Sequence, residues 1–322
     1  MISALLRILF ITLACFASTS SYSQEWPAKP VSLIVPFDAG STPDIVSRLI
    51  AEKLATQLGQ PFVVENKSGA AGNIGTNAVT KAKADGTTIG VSIAGPLGVN
   101  ALLFRKMPYD VDKEIGLVTI AVSQPAVLVA GPRMKVTDAK ELKDVMAKNQ
   151  NLSYASIGAG STSHLAMAAL VAQQNINAVH VPYRGSAAAV TALLSGDVDM
   201  ALLPAAAVMP QVKAGKLKAL AVASPARSPS LPAIPTLAES GLPAIKGDAW
   251  IGFIVPAKTP TSIVHKLHDQ IVQVLADPAI REQLRRQYMD PVGNSPDAFR
   301  QQLQSDLARW KPVIEKNRIQ LN

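Results

Sequence analysis

The residue types best placed to do chemistry in this 322-residue chain are small ones, gathered where apolar runs stop. Val31-Ser-Leu-Ile-Val35 gives way to Pro36-Phe-Asp-Ala-Gly-Ser-Thr-Pro-Asp44, and Phe62-Val-Val-Glu-Asn66 leads to Gly69-Ala-Ala-Gly72-Asn-Ile-Gly75. Leu152–Ser156 opens into Gly158-Ala-Gly160-Ser-Thr-Ser163, and Ala178–Val181 into Arg184-Gly-Ser186. Strands that end in Gly, Ser and Thr just before a helix leave unpaired backbone N–H groups at the helix start, where the dipole also favours negative charge. Such loops hold a small anion without a reactive side chain. The dipole contributes about 0.3–1 kcal/mol and each charge-assisted hydrogen bond about 1.5–3, so a few reach the roughly −8 kcal/mol of micromolar capture.

Other chemistries find less support. No Gly-x-Ser-x-Gly elbow is present for a serine hydrolase, and His164 is the only histidine beside a suitable loop. His164, His180, His265 and His268 are too few and too badly spaced for a metal, and no cofactor is called for. A dinucleotide site is excluded because the Gly158 loop lacks the third glycine of that fingerprint. Asp44 and Arg48 stand four apart at a helix start and read as a first-turn charge with an i,i+4 partner. Gly69–Gly75 reads as close helix–sheet packing ahead of ligand approach. Asp38 has two open readings: a selectivity group that repels dianions, or a solvated loop acid.

The elements that must position these loops alternate along the chain. Strands at Val31–Val35, Phe62–Glu65 and Thr88–Ile93 are interleaved with helices Asp44–Leu58 and Ile74–Lys83, the first burying Ile45, Leu49, Leu54 and Leu58 on one face. A second set starts near Ala126 and runs to the strand Ala219–Ala223. A connector with prolines at 225, 229, 232, 235 and 243 then returns to strand Trp250–Val255 and three C-terminal helices, the last introduced by the cap Ser295-Pro296. The prediction is an α/β protein of two lobes, each a doubly wound, mainly parallel sheet, with lobe 1 formed by residues 24–124 and 225–322 and lobe 2 by 125–224. Two crossings between lobes make a hinge, and the ligand cleft is expected there. Trp250 is read as interlobe packing.

Compartment follows from the N-terminus. Arg7, the apolar run Ile8–Phe16 and Ser21-Tyr22-Ser23 read as an export signal cleaved near Ser23/Gln24, too short to span a bilayer. The only cysteine, Cys15, lies inside it, so a disulfide framework and thiolate catalysis are excluded from the mature chain. Loss of Arg7 takes the formal net charge from +8 to +7. The basic residues are dispersed, without the runs and interleaved aromatics of a nucleic-acid groove.

Read together, Pro36-Phe37…Asp44…Arg48, Val64-Glu-Asn66…Gly69–Gly75, Asp85-Gly86-Thr87, Asn151–Ser156…Gly160-Ser-Thr-Ser-His164, His180-Val-Pro-Tyr-Arg-Gly-Ser186, Gly196-Asp-Val-Asp199 and Lys213-Ala-Gly-Lys-Leu217 resemble the Bug extracytoplasmic solute receptors of tripartite tricarboxylate transporters. The resemblance spans essentially residues 25–320. It implies a monomeric periplasmic Venus-flytrap that binds a small carboxylate, catalyses nothing, and hands its ligand to membrane permease subunits or, alternatively, to a sensor kinase. It further implies ligand contacts from Phe37, Asp38 and Ala39, from the turn Ser92 to Gly95, and from Ser156, Gly160, Ser161, Thr162, Ser186, Ala187, Pro204 and Ala205. Two departures stand out. Ser41 replaces a family glycine and would take a positive φ only at a cost, and Leu202-Leu-Pro-Ala205 is more apolar than usual, which hints at a ligand with a hydrocarbon part.

Overall fold

The computed structural model describes residues 25–148 and 151–321; the export signal, its cleavage point and Cys15 lie outside them. Strand β1 (Val31–Val35) is followed by helix α1 (Thr42–Leu58), β2 (Phe62–Asn66), α2 (Asn73–Thr80), β3 (Thr88–Ser92) and β4 (Ile115–Gln124). Pro125 separates β4 from β5 (Ala126–Ala130), which opens a second set: α3 (Ala139–Lys148), β6 (Leu152–Ser156), α4 (Thr162–Gln173), β7 (Ala178–Pro182), α5 (Ser186–Ser195), β8 (Met200–Pro204), α6 (Ala205–Lys213) and β9 (Lys218–Val222). After the Pro-rich connector come β10 (Ala249–Pro256), α7 (Thr261–Ala276), α8 (Pro278–Arg286), β11 (Asp290–Pro291) and α9 (Pro296–Asn317).

The strands form two sheets, ordered β11-β4-β10-β3-β1-β2 and β7-β6-β8-β5-β9. Both are mixed. In the first, β1 to β4 share one direction while β10 and β11 run against them; in the second only β5 is reversed. The reversed strands β5 and β10 are the first that each sheet receives after a crossover. Strand β4, ten residues long, is an addition to the elements expected from the sequence, and like β5 and β10 it is buried on both faces.

Helix α1 shows how packing decides between near-equivalent faces. Leu54 is buried as predicted and Leu49 and Leu58 pack partly buried against the core, but Ile45 is 37% exposed and Val46 and Ile50 are buried in addition, so the face is centred between the two stripes. Gly59 ends the helix in the left-handed conformation, its N–H donating to the Ala55 carbonyl. Helix α9 begins as expected, with the Ser295 hydroxyl accepting from the Ala298 N–H and Pro296 in the first turn. Its buried Phe299, Leu303, Trp310 and Ile314 join a cluster that also contains Leu128 and Leu165 of the second set, so this helix packs against both lobes. Gly252 on β10 is obligatory for that fit, since a Cβ there would stand 2.2 Å from the Phe299 ring. Burying four such side chains contributes about 1.5–3 kcal/mol each.

Candidate functional site

Strand register brings the small-residue loops together. β1 and β2 end side by side (Val35 opposite Asn66), and Ile34 opposite Gly90 places the end of β3 at the same edge. In the second sheet Ser156 lies opposite Pro182, and Tyr154 opposite Met200 puts the end of β8 alongside. Gln124, at the corresponding end of β4 (opposite Ala249, where β10 begins), and Ala126, opposite Pro204, are joined by Pro125 alone. The two loop-bearing edges therefore meet at the crossover. Ala205 N–H donates to the Pro125 carbonyl at 3.0 Å, Ala223 N–H to Ala126 at 2.8 Å and Gly247 N–H to Ala223 at 2.7 Å, so both crossings are bonded into one seam.

In the first lobe the loop 36–41 is held by one buried carboxylate. Asp44 is 3% exposed and accepts from the Gly40 N–H at 2.9 Å, from Asn66 Nδ2 at 2.9 Å and from Arg48 Nε at 3.1 Å. Burial pushes its pKa up, but these hydrogen bonds together hold it below the usual carboxylate range. Asn66 also donates to the Phe37 carbonyl at 3.0 Å. Arg48 and Asp44 form the expected i,i+4 pair. Positive φ falls on Gly40 (79°), while Ser41 is extended (φ −68°), so replacing the family glycine strains nothing. Phe37 is half-buried; Asp38 and Ala39 are exposed.

The Gly69–Gly75 segment serves packing, as read from the sequence. A Cβ on Gly75 would lie 2.5 Å from Pro36 Cα, and one on Gly72 would strike Pro96 and the Phe37 ring. A buried polar network ties this segment to the turn after β3. Asn73 Oδ1 accepts from Asn100 Nδ2 at 2.7 Å and from the Tyr109 hydroxyl at 3.1 Å, and that hydroxyl also donates to Pro96 O at 2.7 Å. Burial drives the Tyr109 pKa up. Nothing in the sequence pattern linked Asn73, Asn100 and Tyr109. The turn itself is a wide helical segment, Gly95–Val99, with i→i+5 spacing of the kind that recurs at functional sites. Gly95 is half-buried, but Ser92 is fully buried with its hydroxyl 3.1 Å from Thr76 Oγ1, so it supports the turn rather than facing the cleft.

In the second lobe two histidines, dismissed as metal ligands, organise the glycine loop. His164 and His180 stack at 3.6 Å with an 8° interplanar angle. His164 Nδ1 accepts from the Gly160 N–H at 3.0 Å, and His180 Nε2 lies 2.7 Å from Ser156 Oγ, which in turn accepts from the Gly158 N–H at 3.2 Å. Desolvation lowers both histidines to about 4, with the neighbouring His180 adding to the effect on His164, so the pair is uncharged at neutral pH. Tyr154, stacked 5.1 Å from His180, is pushed up to about 12 by burial. Parallel pairing of Tyr154 with His180 creates this stack.

The predicted contacts therefore separate into two groups. Ser92, Ser156, Gly160 and Ala205 are buried and their polar groups are engaged inside the protein. Gly160 is also wedged against Leu103, 2.5 Å from where a Cβ would stand. Ser161, Thr162, Ser186 and Pro204 are half-buried and Ala187 is exposed. Ser161 caps α4, its hydroxyl accepting from His164 N–H. Thr162 and Ser163, and Ser186 and Ala187, occupy the first turns of α4 and α5, where helix geometry supplies no intrahelical acceptor. Leu202 and Leu203 are fully buried in the core, so the apolar character of that segment does not reach the loop edge through them. Trp250 is packed against Phe299 and donates to Asp306 at 2.8 Å, which makes it an anchor for α9. Among the described residues, two surface hollows, one near Lys213 and one near Trp26, are lined by none of the predicted contacts. Among the described residues no group of three or more His, Cys, Asp or Glu gathers as a metal site, and no helix is long and apolar enough to cross a membrane.

The chain is similar to known proteins along nearly its whole length. BugT of Bordetella pertussis is 33% identical over 315 residues, 97% of this chain and 96% of that protein. A Rhodopseudomonas palustris protein solved with adipate is 32% identical, with a TM-score of 0.82 over 90% of this chain and 98% of its own. MatC from the same species, solved with bound malate, is 31% identical, with a TM-score of 0.77 over 90% of this chain and 100% of its own. A family model described as the tripartite tricarboxylate transporter family receptor, TctC, matches residues 46–319. The chain thus belongs to the TctC receptor family, whose members are two-lobed periplasmic solute-binding proteins rather than enzymes.

Proposed function

We propose that this protein captures a small organic carboxylate between its lobes in the periplasm and presents it to the membrane subunits of a tripartite tricarboxylate-type permease. The observation that carries the reading is the convergence of the loop-bearing edges of both sheets on a single-residue crossover, with the first-turn amides of α4 and α5 at that edge. Thr162, Ser163, Ser186 and Ala187 donate to the carboxylate, with the Ser161 hydroxyl beside them. Phe37, Asp38, Ala39 and the Gly95 turn close over it from lobe 1. Ser156 and Gly160 act beneath, by setting the loop. Lobe 1 comprises residues up to 124 and from 225, lobe 2 the residues between, and closure is a hinge motion driven by the ligand's greater affinity for the closed state. Adipate and malate in two relatives support a carboxylate ligand.

A thermal-shift panel of dicarboxylates, tricarboxylates, aromatic acids and amino acids tests this. An acid at a hundred times its dissociation constant adds about 2.7 kcal/mol, or about 4–5 °C for a chain of this size. The expected result is a shift from at least one acid and none from its methyl ester. Equal shifts from acid and ester would refute carboxylate recognition.

A further inference from the structure

Away from the cleft loops, a hollow of about 480 Å³ lies in the seam between the lobes, within the size range of small-molecule sites. Three segments wall it: Met209 and Lys213 on α6 of lobe 2, the connector at 230–234, and Glu282, Arg285, Arg286 and Tyr288 at the end of α8 in lobe 1. Its floor is apolar, since Met209 and Leu231 are 7% and 5% exposed. Its rim is basic. Glu282 pairs with both Arg285 (2.8 Å) and Arg286 (3.0 Å), so one acid faces two arginines, and the Lys213 ammonium stands 5.3 Å over the Tyr288 ring. Tyr288 is held in place as the left-handed residue that ends α8 (φ 53°), with the Met289 N–H donating to the Leu284 carbonyl at 2.9 Å.

We propose that this seam hollow is a second ligand site, one that takes an organic anion with an aromatic or branched apolar body. The acid group meets Lys213 and the arginine pair, and the body lies against Met209, Leu231 and Tyr288. Because its walls belong to both lobes, an occupant ties α6 to α8 and biases the hinge, so it and a cleft ligand alter one another's affinity by the same factor.

The probe is 8-anilinonaphthalene-1-sulfonate, an anionic aromatic dye, titrated against the mature chain by fluorescence. One saturable dye per chain is expected, with affinity weakened at least tenfold both by Ala233→Trp, which fills the hollow from an exposed connector position, and by Lys213→Glu. Melting temperature and the response to the acid panel should stay as in the parent protein. Ala187→Trp, which obstructs the cleft loops, should leave the dye site in place. Unchanged dye affinity in both hollow variants, no saturable site in the parent, or loss of the site in Ala187→Trp would each overturn the proposal. Failure of the carboxylate reading shows separately, as an acid panel without a shift.

Discussion

The two loops proposed to hold the ligand, one in each lobe, are fixed by opposite means. The lobe 1 loop, residues 36–41, hangs on an ionised carboxylate, Asp44, bonded to Gly40, Asn66 and Arg48. The lobe 2 loop, residues 157–161, is pinned by two neutral imidazoles stacked beneath it. A charged anchor tolerates neutral and mildly acidic pH but feels salt, because Arg48 is half in solvent. An uncharged buried anchor ignores salt but fails when acid forces a proton onto it. Loops that must offer bare amides to a ligand cannot pack themselves rigidly, so each borrows rigidity from a side chain on the adjoining helix.

The contrast can be broken most severely at His164. Replacement by Ala removes a stacked ring and leaves the buried Gly160 N–H without its acceptor. A loss of about 2–4 kcal/mol in denaturant unfolding is expected, with weakened carboxylate binding. Retention of full stability would mean that the imidazole pair is incidental to the loop.

Acid sharpens the same difference. Both histidines are lowered in the folded protein from 6.5 to about 4. The unfolded chain therefore binds more protons between those values, and stability is full above pH 6.5 and falls as pH drops toward 4. For the buried His164 the loss is of order 3 kcal/mol. Unfolding midpoints measured from pH 7 to 4 should slope in this window, and a His164→Gln, His180→Gln double variant should flatten the slope. Asp44, held below the usual carboxylate range, keeps its contribution until the pH falls beneath that of an ordinary aspartate, so its loss appears only at stronger acid.

Asp44→Asn is a smaller perturbation. The amide oxygen still accepts from Gly40, but the ion pair with Arg48 is gone, and about 1 kcal/mol should be lost, less in high salt. Smallest in stability is Asp38→Ala, within about 0.5 kcal/mol because the side chain is exposed. Its effect should be on preference among acids, read from the ratio of binding constants for a monoanion and a dianion. An unaltered ratio would reduce Asp38 to a solvated loop residue.

Much of this architecture was legible because local signals agreed. Ser295-Pro296 announced α9, alternating apolar runs announced most strands, and Gly158–Ser163 stood between a strand and a helix as expected. Strand β4 lay outside the expected elements although β5 and β10, equally buried on both faces, were among them. The face of α1 was legible at Leu49, Leu54 and Leu58 but not at Ile45, because Val46 and Ile50 offer a second stripe one residue away. The site was legible as loops, not as atoms. Sequence spacing cannot show that Ser92 and Ser156 point inward, since that depends on partners, Thr76 and His180, brought by other elements. The stack of Tyr154 on His180 follows from β6 pairing with β7, and His164 joins it from the first turn of α4, contacts that no spacing along the chain encodes.

The most direct measurement is an amide chemical-shift titration of the ¹⁵N-labelled mature chain with an acid selected from the panel. Capture by main-chain donors requires the Thr162, Ser163, Ser186 and Ala187 N–H resonances to move downfield together and saturate with the binding curve. If binding saturates while those amides stay where they were, the ligand sits elsewhere and the helix starts of lobe 2 do not hold it.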